Sequence, residues 1–458
     1  MGTRWFITIL YTVVFTFCYA GIHEGAQGDE RDELRKEIEQ LRYQVEIMQR
    51  RLMELEEKSR LLEEKAKQRE TKEDPGRVTA EVVSQRKEGF AQKFIGAFNP
   101  DISVVGTFAA AYFSEDEPHG RAEADPENTG INLQEIEVAF QGSVDPYFRF
   151  DSFFSIGRDG VETEEAYATT LLSLPLNLQV RAGIMRSKFG RINLQHRELQ
   201  DFVTLPLPAV SFLGEHLNPV GVEFNFLIPL PWFLELSASV NSPEVEVATF
   251  DRDENANNIG RLLYIFHLSN FFELSDALSF LMGGSFATGS NGTEPGNRSN
   301  LYGIDLFAKY RPLRNNPYQE LWLQSEFIYR QAEVPRGNLD DWGAYAQLVY
   351  RFAKRWNAGF RFDFVDTGDP IKLEKEKELE MEDISGFISR QHEHGEEESI
   401  LGLFGREKRY AFMLTFNPTE FSRIRLQYEI SDPVFEKLSH AVFLQFQYSI
   451  GPHGAHPF

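Results

Sequence analysis

The chain has 458 residues, a formal net charge of -23, 42% hydrophobic residues and 26% charged residues. That acidic balance excludes nucleic acid as a partner, because phosphate backbones are gripped by clustered Lys and Arg. Beyond the first twenty residues no apolar run approaches the ~18 residues a membrane-spanning helix needs, yet 40 Phe and 16 Tyr are many for so polar a chain.

Residues 1–20 read as a secretory signal. Arg4 supplies the charge, Trp5 to Tyr19 is apolar, and Cys18-Tyr19-Ala20 is a small-x-small cleavage site. A membrane anchor is the alternative, but the run is short for one. Cleavage after Ala20 removes the single cysteine, which excludes disulfides and thiol catalysis.

Residues 30–66 follow a heptad. Leu34, Ile38, Leu41, Val45, Met48, Leu52, Leu55 and Leu62 alternate steps of four and three, and Ser59 and Ala66 fill the remaining seam positions. The pattern predicts an α-helical coiled coil of about 50 Å at 1.5 Å per residue. A lone solvated helix would leave that seam wet. Ile38 and Val45 at one seam position, with leucine mostly at the other, favour a parallel dimer. Residues 67–98 are charged, are interrupted by Asp74-Pro75-Gly76, and read as a linker.

Within residues 99–458, the chain from about Asp101 to Ile450 is written in two-residue steps. Ile102, Val104, Gly106, Phe108, Ala110 and Tyr112 share one face of their segment; Ala358, Phe360, Phe362 and Phe364 oppose Arg361 and Asp363. Ile424, Leu426, Tyr428 and Ile430 likewise oppose Arg423, Arg425, Gln427 and Glu429. A strand sends successive side chains to opposite faces, so each segment has a greasy side and a polar side. Sixteen such segments begin near residues 101, 131, 147, 164, 177, 221, 232, 261, 277, 302, 320, 342, 357, 409, 422 and 441. Connections after even-numbered segments are tight, as at Asp145-Pro146, Pro175-Leu176, Pro229-Leu230-Pro231, Ala353–Trp356 and Asn417–Phe421. After odd-numbered segments they are mostly longer and polar: Glu115–Gly130, Arg186–Val220, Asn241–Gly260, Asn291–Leu301 and Asp366–Lys408.

The fold class these features predict is all-β: a 16-stranded antiparallel transmembrane β-barrel preceded by a periplasmic α-helical coiled coil. An apolar outer face meets lipid, a polar inner face meets a wet lumen, and short turns face the periplasm with both termini. A soluble sandwich is the rival, but it would bury the apolar faces against each other and need no segregation of long loops.

The run Leu178-Gln179-Val180-Arg181-Ala182-Gly183-Ile184-Met185-Arg186-Ser187-Lys188-Phe189-Gly190-Arg191-Ile192-Asn193 resembles the phosphate-selective porin O/P superfamily. Glu164-Glu165-Ala166-Tyr167 and the opening Asn99-Pro100-Asp101-Ile102-Ser103 fit the same pattern. The resemblance covers about residues 95–458. It implies a porin in which the strand carrying Gly183 runs into a loop folded inside the pore, and an association into trimers, against the dimer favoured by the heptad. Together with the coiled coil, the histidine-bearing loop near His196 and the Gly-x-His-x-x-His ending, it is similar to porins associated with metal homeostasis. A terminal aromatic, here Phe458, is the assembly signal such barrels carry, although Gly451–Phe458 forms a tail beyond the last alternating run.

On this register Arg149, Asp151, Arg181, Glu135, Arg361, Asp363, Arg423 and Arg425 line the pore, with Glu137, Glu165, Glu223, Glu235, Asp305, Lys309, Arg311, Arg351 and Glu429. Interleaved signs pair across strands or set a transverse field, and no ladder of one sign stands out. The connection Arg186–Val220 carries Arg186, Lys188, Arg191 and Arg197 near its start and Leu205-Pro206-Leu207-Pro208 within it. An apolar, proline-stiffened loop is unwelcome in water, so it is expected to fold inward and place those four cations at the pore constriction. A lid over neighbouring loops is the alternative.

Six histidines fall on long connections: His119, His196, His216, His392, His394 and His440. His392-Glu393-His394 with three following glutamates, together with His196 and His216, is a weak zinc-type signal, since imidazole and carboxylate suit that ion. A solvated acidic loop is the simpler explanation of His392 and His394. No nucleophile elbow, phosphate loop or His-Glu-x-x-His helix occurs, so no enzyme chemistry and no cofactor is read from the sequence. The expected function is an outer-membrane porin for small hydrophilic solutes or ions, surrounded by outer-membrane lipid and assembled as a homo-oligomer. The alternatives are an envelope tether acting through the coiled coil and a porin with a zinc bias.

Overall fold

The computed structural model describes residues 100–451, apart from 116–119, 159, 172–173, 244–248, 251–261, 292–294, 313–317, 335–336, 368–404 and 435–436. The expected signal, coiled coil and linker lie outside the described residues, as do His119, His392, His394, His453, His456 and Phe458.

Among the described residues there are sixteen strands. They are β1 (Asp101–Phe113), β2 (Gly130–Ser143), β3 (Phe148–Ile156), β4 (Val161–Thr170), β5 (Leu178–Ile184), β6 (Val220–Leu227), β7 (Phe233–Asn241) and β8 (Leu263–Ser275). Then follow β9 (Leu278–Ser290), β10 (Arg298–Tyr310), β11 (Glu320–Val334), β12 (Gly337–Ala353), β13 (Trp356–Thr367), β14 (Gly405–Thr419), β15 (Ser422–Pro433) and β16 (Ser439–Ile450). Each pairs with its neighbours in sequence, and β1 pairs antiparallel with β16, from Val104 opposite Ile450 to Phe113 opposite Ala441, to close the barrel. Fifteen starts lie within four residues of the expected ones and β12 starts five earlier; on β12 and β14 polar ladder residues such as Asp340 and Glu407 extend the strands past their greasy part.

Burial along the strands is inverted relative to a soluble protein. On β15, Leu426 and Tyr428 are exposed while Arg425, Gln427 and Glu429 are buried. Arg361 is 1% exposed and Phe412, outward on the adjacent strand, 47%. A sandwich cannot show this pattern, because its apolar faces would be the covered ones. Aromatic contacts run round the outside near the long-loop end, through Phe266, Phe286, Tyr302 and Tyr329, then Phe327, Trp342 and Phe364. Trp356 and Phe416, 4.7 Å apart, belong to the other rim. Two aromatic girdles flanking an aliphatic band are what a bilayer selects.

The two ends of the barrel differ as expected. Residues 114–129, 185–219, 242–262 and 368–404 connect strands at one end, while 144–147, 228–232, 276–277 and 354–355 suffice at the other. Three connections at the long end, 157–160, 335–336 and 434–438, are nevertheless short.

Two register breaks matter for the interior. Between β1 and β2, Thr107 faces Glu135 and Phe108 faces Leu133, so Gln134 is an extra residue. Between β3 and β4, Phe153 faces Glu165 and Phe154 faces Thr163, so Glu164 is the extra one. Such bulges re-aim side chains, and here each sends two consecutive polar residues inward.

Leu426→Arg, outward in the middle of β15, is expected to destabilise the barrel by about 2–4 kcal/mol. Denaturant unfolding in phospholipid vesicles measures it; a soluble-facing surface would tolerate the change.

Candidate pore constriction

The segment 185–219 leaves β5 and turns into the barrel. Gly183 makes the start of that turn, with φ 140° and the Ala166 carbonyl 2.1 Å from where a Cβ would stand. Phe189 is fully buried against Gly303, and Gly190 adopts φ 66° with the Glu326 carboxylate where its Cβ would lie. The Glu326 Oε1 accepts the backbone N–H of Ile192 at 2.6 Å and that of Arg191 at 3.2 Å. The two glycines of the sequence motif are thus close-approach positions on which no side chain fits.

Further along, α1 (Leu207–Leu213) starts behind Pro206 and ends at Gly214 in the left-handed region, φ 59°, the stop favoured for helices. Leu207, Phe212, Leu213 and Leu217 pack with Phe189 on Ile265, Ala287, Leu301, Ile328 and Val365 of the inner wall. Phe202 meets Val349, Ala411 and Met413, and Val203 meets Ala111, Phe113, Ala441 and Phe443. Each fully buried side chain of this kind contributes about 1.5–3 kcal/mol, so the segment is seated and spans the lumen. The inner wall is apolar where it receives the segment and polar elsewhere.

Polar contacts complete the seat. Arg361 donates to the Thr204 carbonyl at 2.6 Å and Arg425 to that of Gln200 at 2.6 Å. Gln427 accepts the Val203 N–H at 2.7 Å, and Trp322 donates to Asp201 at 2.8 Å. These polar contacts come from β11, β13 and β15; a second set comes from β2 and β4.

Beside those two strands the structure gathers His196, Arg186, Arg197, Glu135, Glu137, Glu164 and Glu165. Arg186 pairs with Glu164 at 2.5 Å, and its backbone N–H donates to Glu165 at 2.7 Å. Arg197 is shared by Asp125 (3.2 Å), Glu135 (3.4 Å) and Glu215 (3.2 Å). His196 lies against Phe153 with its Nδ1 2.7 Å from Glu137 and its Nε2 2.8 Å from Glu165. Burial and Arg186 oppose protonation of this imidazole, but the charges of Glu137 and Glu164 outweigh them, so its pKa lies well above the ordinary value. Burial, joined by Arg186, pushes the pKa of the His216 ring well below it. Burial lifts the Glu215 carboxyl to about 7.

Of the four cations expected at the constriction, Arg186 and Arg197 are buried inside these networks. Lys188 pairs with Glu235 of the wall, and Arg191 stacks over Phe307 at 4.0 Å. All four lie inside the barrel, engaged with wall groups that fix the segment. The pore-lining residues pair as well: Arg149 with Asp151 (2.8 Å), Arg181 with Glu223 (2.7 Å) and Arg361 with Asp363 (2.9 Å). Arg423, like Arg425, donates to the Gln200 carbonyl. His196 and His216, placed by sequence on an outer loop, are instead drawn into the lumen because their loop is.

Sequence reasoning missed three participants. Glu164 alternates outward by simple counting and enters only through the bulge. Asp125 and Arg121 sit in a connection read only as long and polar, yet Arg121 lies over the Phe113 and Phe443 rings and bonds Glu429 at 2.5 Å. No one-dimensional pattern marks either.

No family model matches the chain. A protein of Aquifex aeolicus (strain VF5), described as an uncharacterized protein, is 32% identical over 414 residues and covers 81% of both chains. The chain belongs to the family of that protein. In fold it is similar to Pseudomonas putida OprB, with TM-score 0.50 and 11% identity over 79% of this chain and 97% of the other. An anion-selective porin from Comamonas acidovorans also has TM-score 0.50, with 8% identity over 77% of this chain and 100% of that one. What is shared with both is the closed porin-type barrel.

Arg197→Met would leave Asp125, Glu135 and Glu215 facing one another unneutralised. Breaking a buried pair by removing one partner costs about 3–5 kcal/mol, so exchange protection of amides in 186–215 is expected to fall by ~100-fold or more while the strands stay protected. Hydrogen–deuterium exchange mass spectrometry reads it.

Proposed function

We propose that the protein is an outer-membrane diffusion channel for small hydrophilic solutes or ions. The observation that carries this reading is a closed barrel, apolar outside, whose charged interior is narrowed by the seated segment 185–219. A barrel serving only as an anchor has no need of a charged lumen shaped by a dedicated inward loop. The run Leu178–Asn193, with Gly183 and Gly190 at close approaches, supports placing the chain beside the phosphate-selective porin O/P superfamily. Arg361, Arg423 and Arg425 donate to carbonyls of the segment, while Glu135, Glu137 and Glu165 engage its Arg197, His196 and Arg186, so wall charges of both signs border it.

Planar-bilayer reconstitution of the folded protein is expected to give stepwise conductance; its absence refutes the channel. Replacing residues 198–213 by a short Gly-Ser link is expected to raise the step size several-fold. Deleting residues 30–75 is expected to leave it unchanged, which separates conduction from any tethering by the coiled coil.

A further inference from the structure

We propose that His196, Glu137 and Glu164 form a binding site for a divalent transition-metal ion of the zinc class, which staples the inserted segment to the barrel wall. The site is distinct from conduction and does not depend on it.

The ligand atoms of these three residues lie within 4.8 Å of one another. They come from three separate pieces of chain: Glu137 from β2, Glu164 from the bulge of β4, and His196 from the inserted segment. The imidazole is oriented as a metal ligand is. Glu165 Oε2 engages Nε2 at 2.8 Å, which leaves Nδ1 turned to Glu137 at 2.7 Å and to Glu164 at 3.4 Å. A carboxylate holding the far nitrogen fixes the tautomer and raises the basicity of the near one. An ion bound here displaces the hydrogen that joins Nδ1 to Glu137.

Charge favours the exchange. Glu135, Glu137, Glu164, Glu165 and Glu198 interact electrostatically within this cluster, against the guanidinium groups of Arg186 and Arg197. An independent observation comes from His216. Its Nδ1 is shut off from solvent without a hydrogen-bond partner, and Glu164 and His196 are among the groups acting on that ring. A buried imidazole nitrogen without a partner, on a ring that interacts electrostatically with Glu164 and His196, is a further candidate donor. Arg186 holds Glu164 through one oxygen, Oε2, and a carboxylate so held can bridge the arginine and the ion.

The donor set selects the ion class. One or two imidazole nitrogens with two carboxylate oxygens suit zinc, nickel or copper, whereas calcium and magnesium take oxygen alone. The bulge at Glu164 acquires a purpose: without it, β4 presents one carboxylate inward, enough to orient the histidine or to bind the ion but not both.

The test titrates the full chain, folded in detergent and stripped with chelator, with zinc chloride in competition with a chromophoric chelator. One zinc per chain is expected. His196→Ala and Glu137→Gln should each weaken it by about 100-fold or more, and Glu165→Gln, which meets the ring at its far nitrogen and also accepts the Arg186 backbone N–H, by about 10–100-fold. The His392→Ala, His394→Ala double variant should keep the tight site. Barrel integrity is followed by heat-modifiable migration on gels. Hydrogen exchange of the unaltered chain provides a reading that needs no variant, with zinc expected to raise protection over residues 186–200. No stoichiometric zinc, no gain in protection, or unchanged affinity in folded His196→Ala or Glu137→Gln barrels overturns the proposal.

Discussion

Inside a bilayer every backbone N–H and C=O must find its partner within the protein, and the pairing of β1 with β16 is what meets that demand. An open sheet would leave the outer ladder of both strands unpaired in hydrocarbon. Closure dictates the rest. With lipid outside, alternate residues become aliphatic or aromatic, and their neighbours are forced together into the lumen, where Arg361, Asp363, Arg425 and Glu429 lie buried. Charges at such density persist because each is paired or bonded to a carbonyl.

The lumen is then filled by a segment that could not stay in water. Phe189, Phe202, Leu207, Phe212 and Leu213 are almost wholly buried, and the wall answers them with Ile265, Leu301, Ile328 and Val365 at positions where a pore would otherwise be polar. The same wall supplies arginines that cap the carbonyls of Gln200 and Thr204. Apolar contact provides the energy of seating and the arginines fix its register, since a shifted segment would strand several buried charges at once. The cations within the segment serve this seating, which is why they are engaged with wall groups.

The bulges at Gln134 and Glu164 show how a barrel departs locally from strict alternation. One extra residue per strand costs a ladder contact and gains an additional polar group inside. Both bulges fall on strands that face His196 and Arg197, so the irregularity and the acidic cluster belong together. Asp125 adds to that cluster from a neighbouring connection, tying two loops to a single guanidinium.

Sequence alone determined the barrel, its strand count, most strand starts, which residues point inward and the inward turn of the connection after β5. Those properties follow from period-two patterning, from turn residues, and from an apolar, proline-bearing loop that water rejects, all of them local along the chain. Only the tertiary structure decided what the inward charges do. Arg186 and Arg197 read as free cations at a constriction because their partners, Glu164 and Asp125, are 22 and 72 residues away. His196 and His216 read as external because nothing local says how deep a loop sinks. Glu164 was hidden by a bulge, which shifts the facing of a strand by one residue and leaves no mark in the pattern of hydrophobicity. Pairing in a closed barrel is set by register across strands, and register is a property of the whole ring.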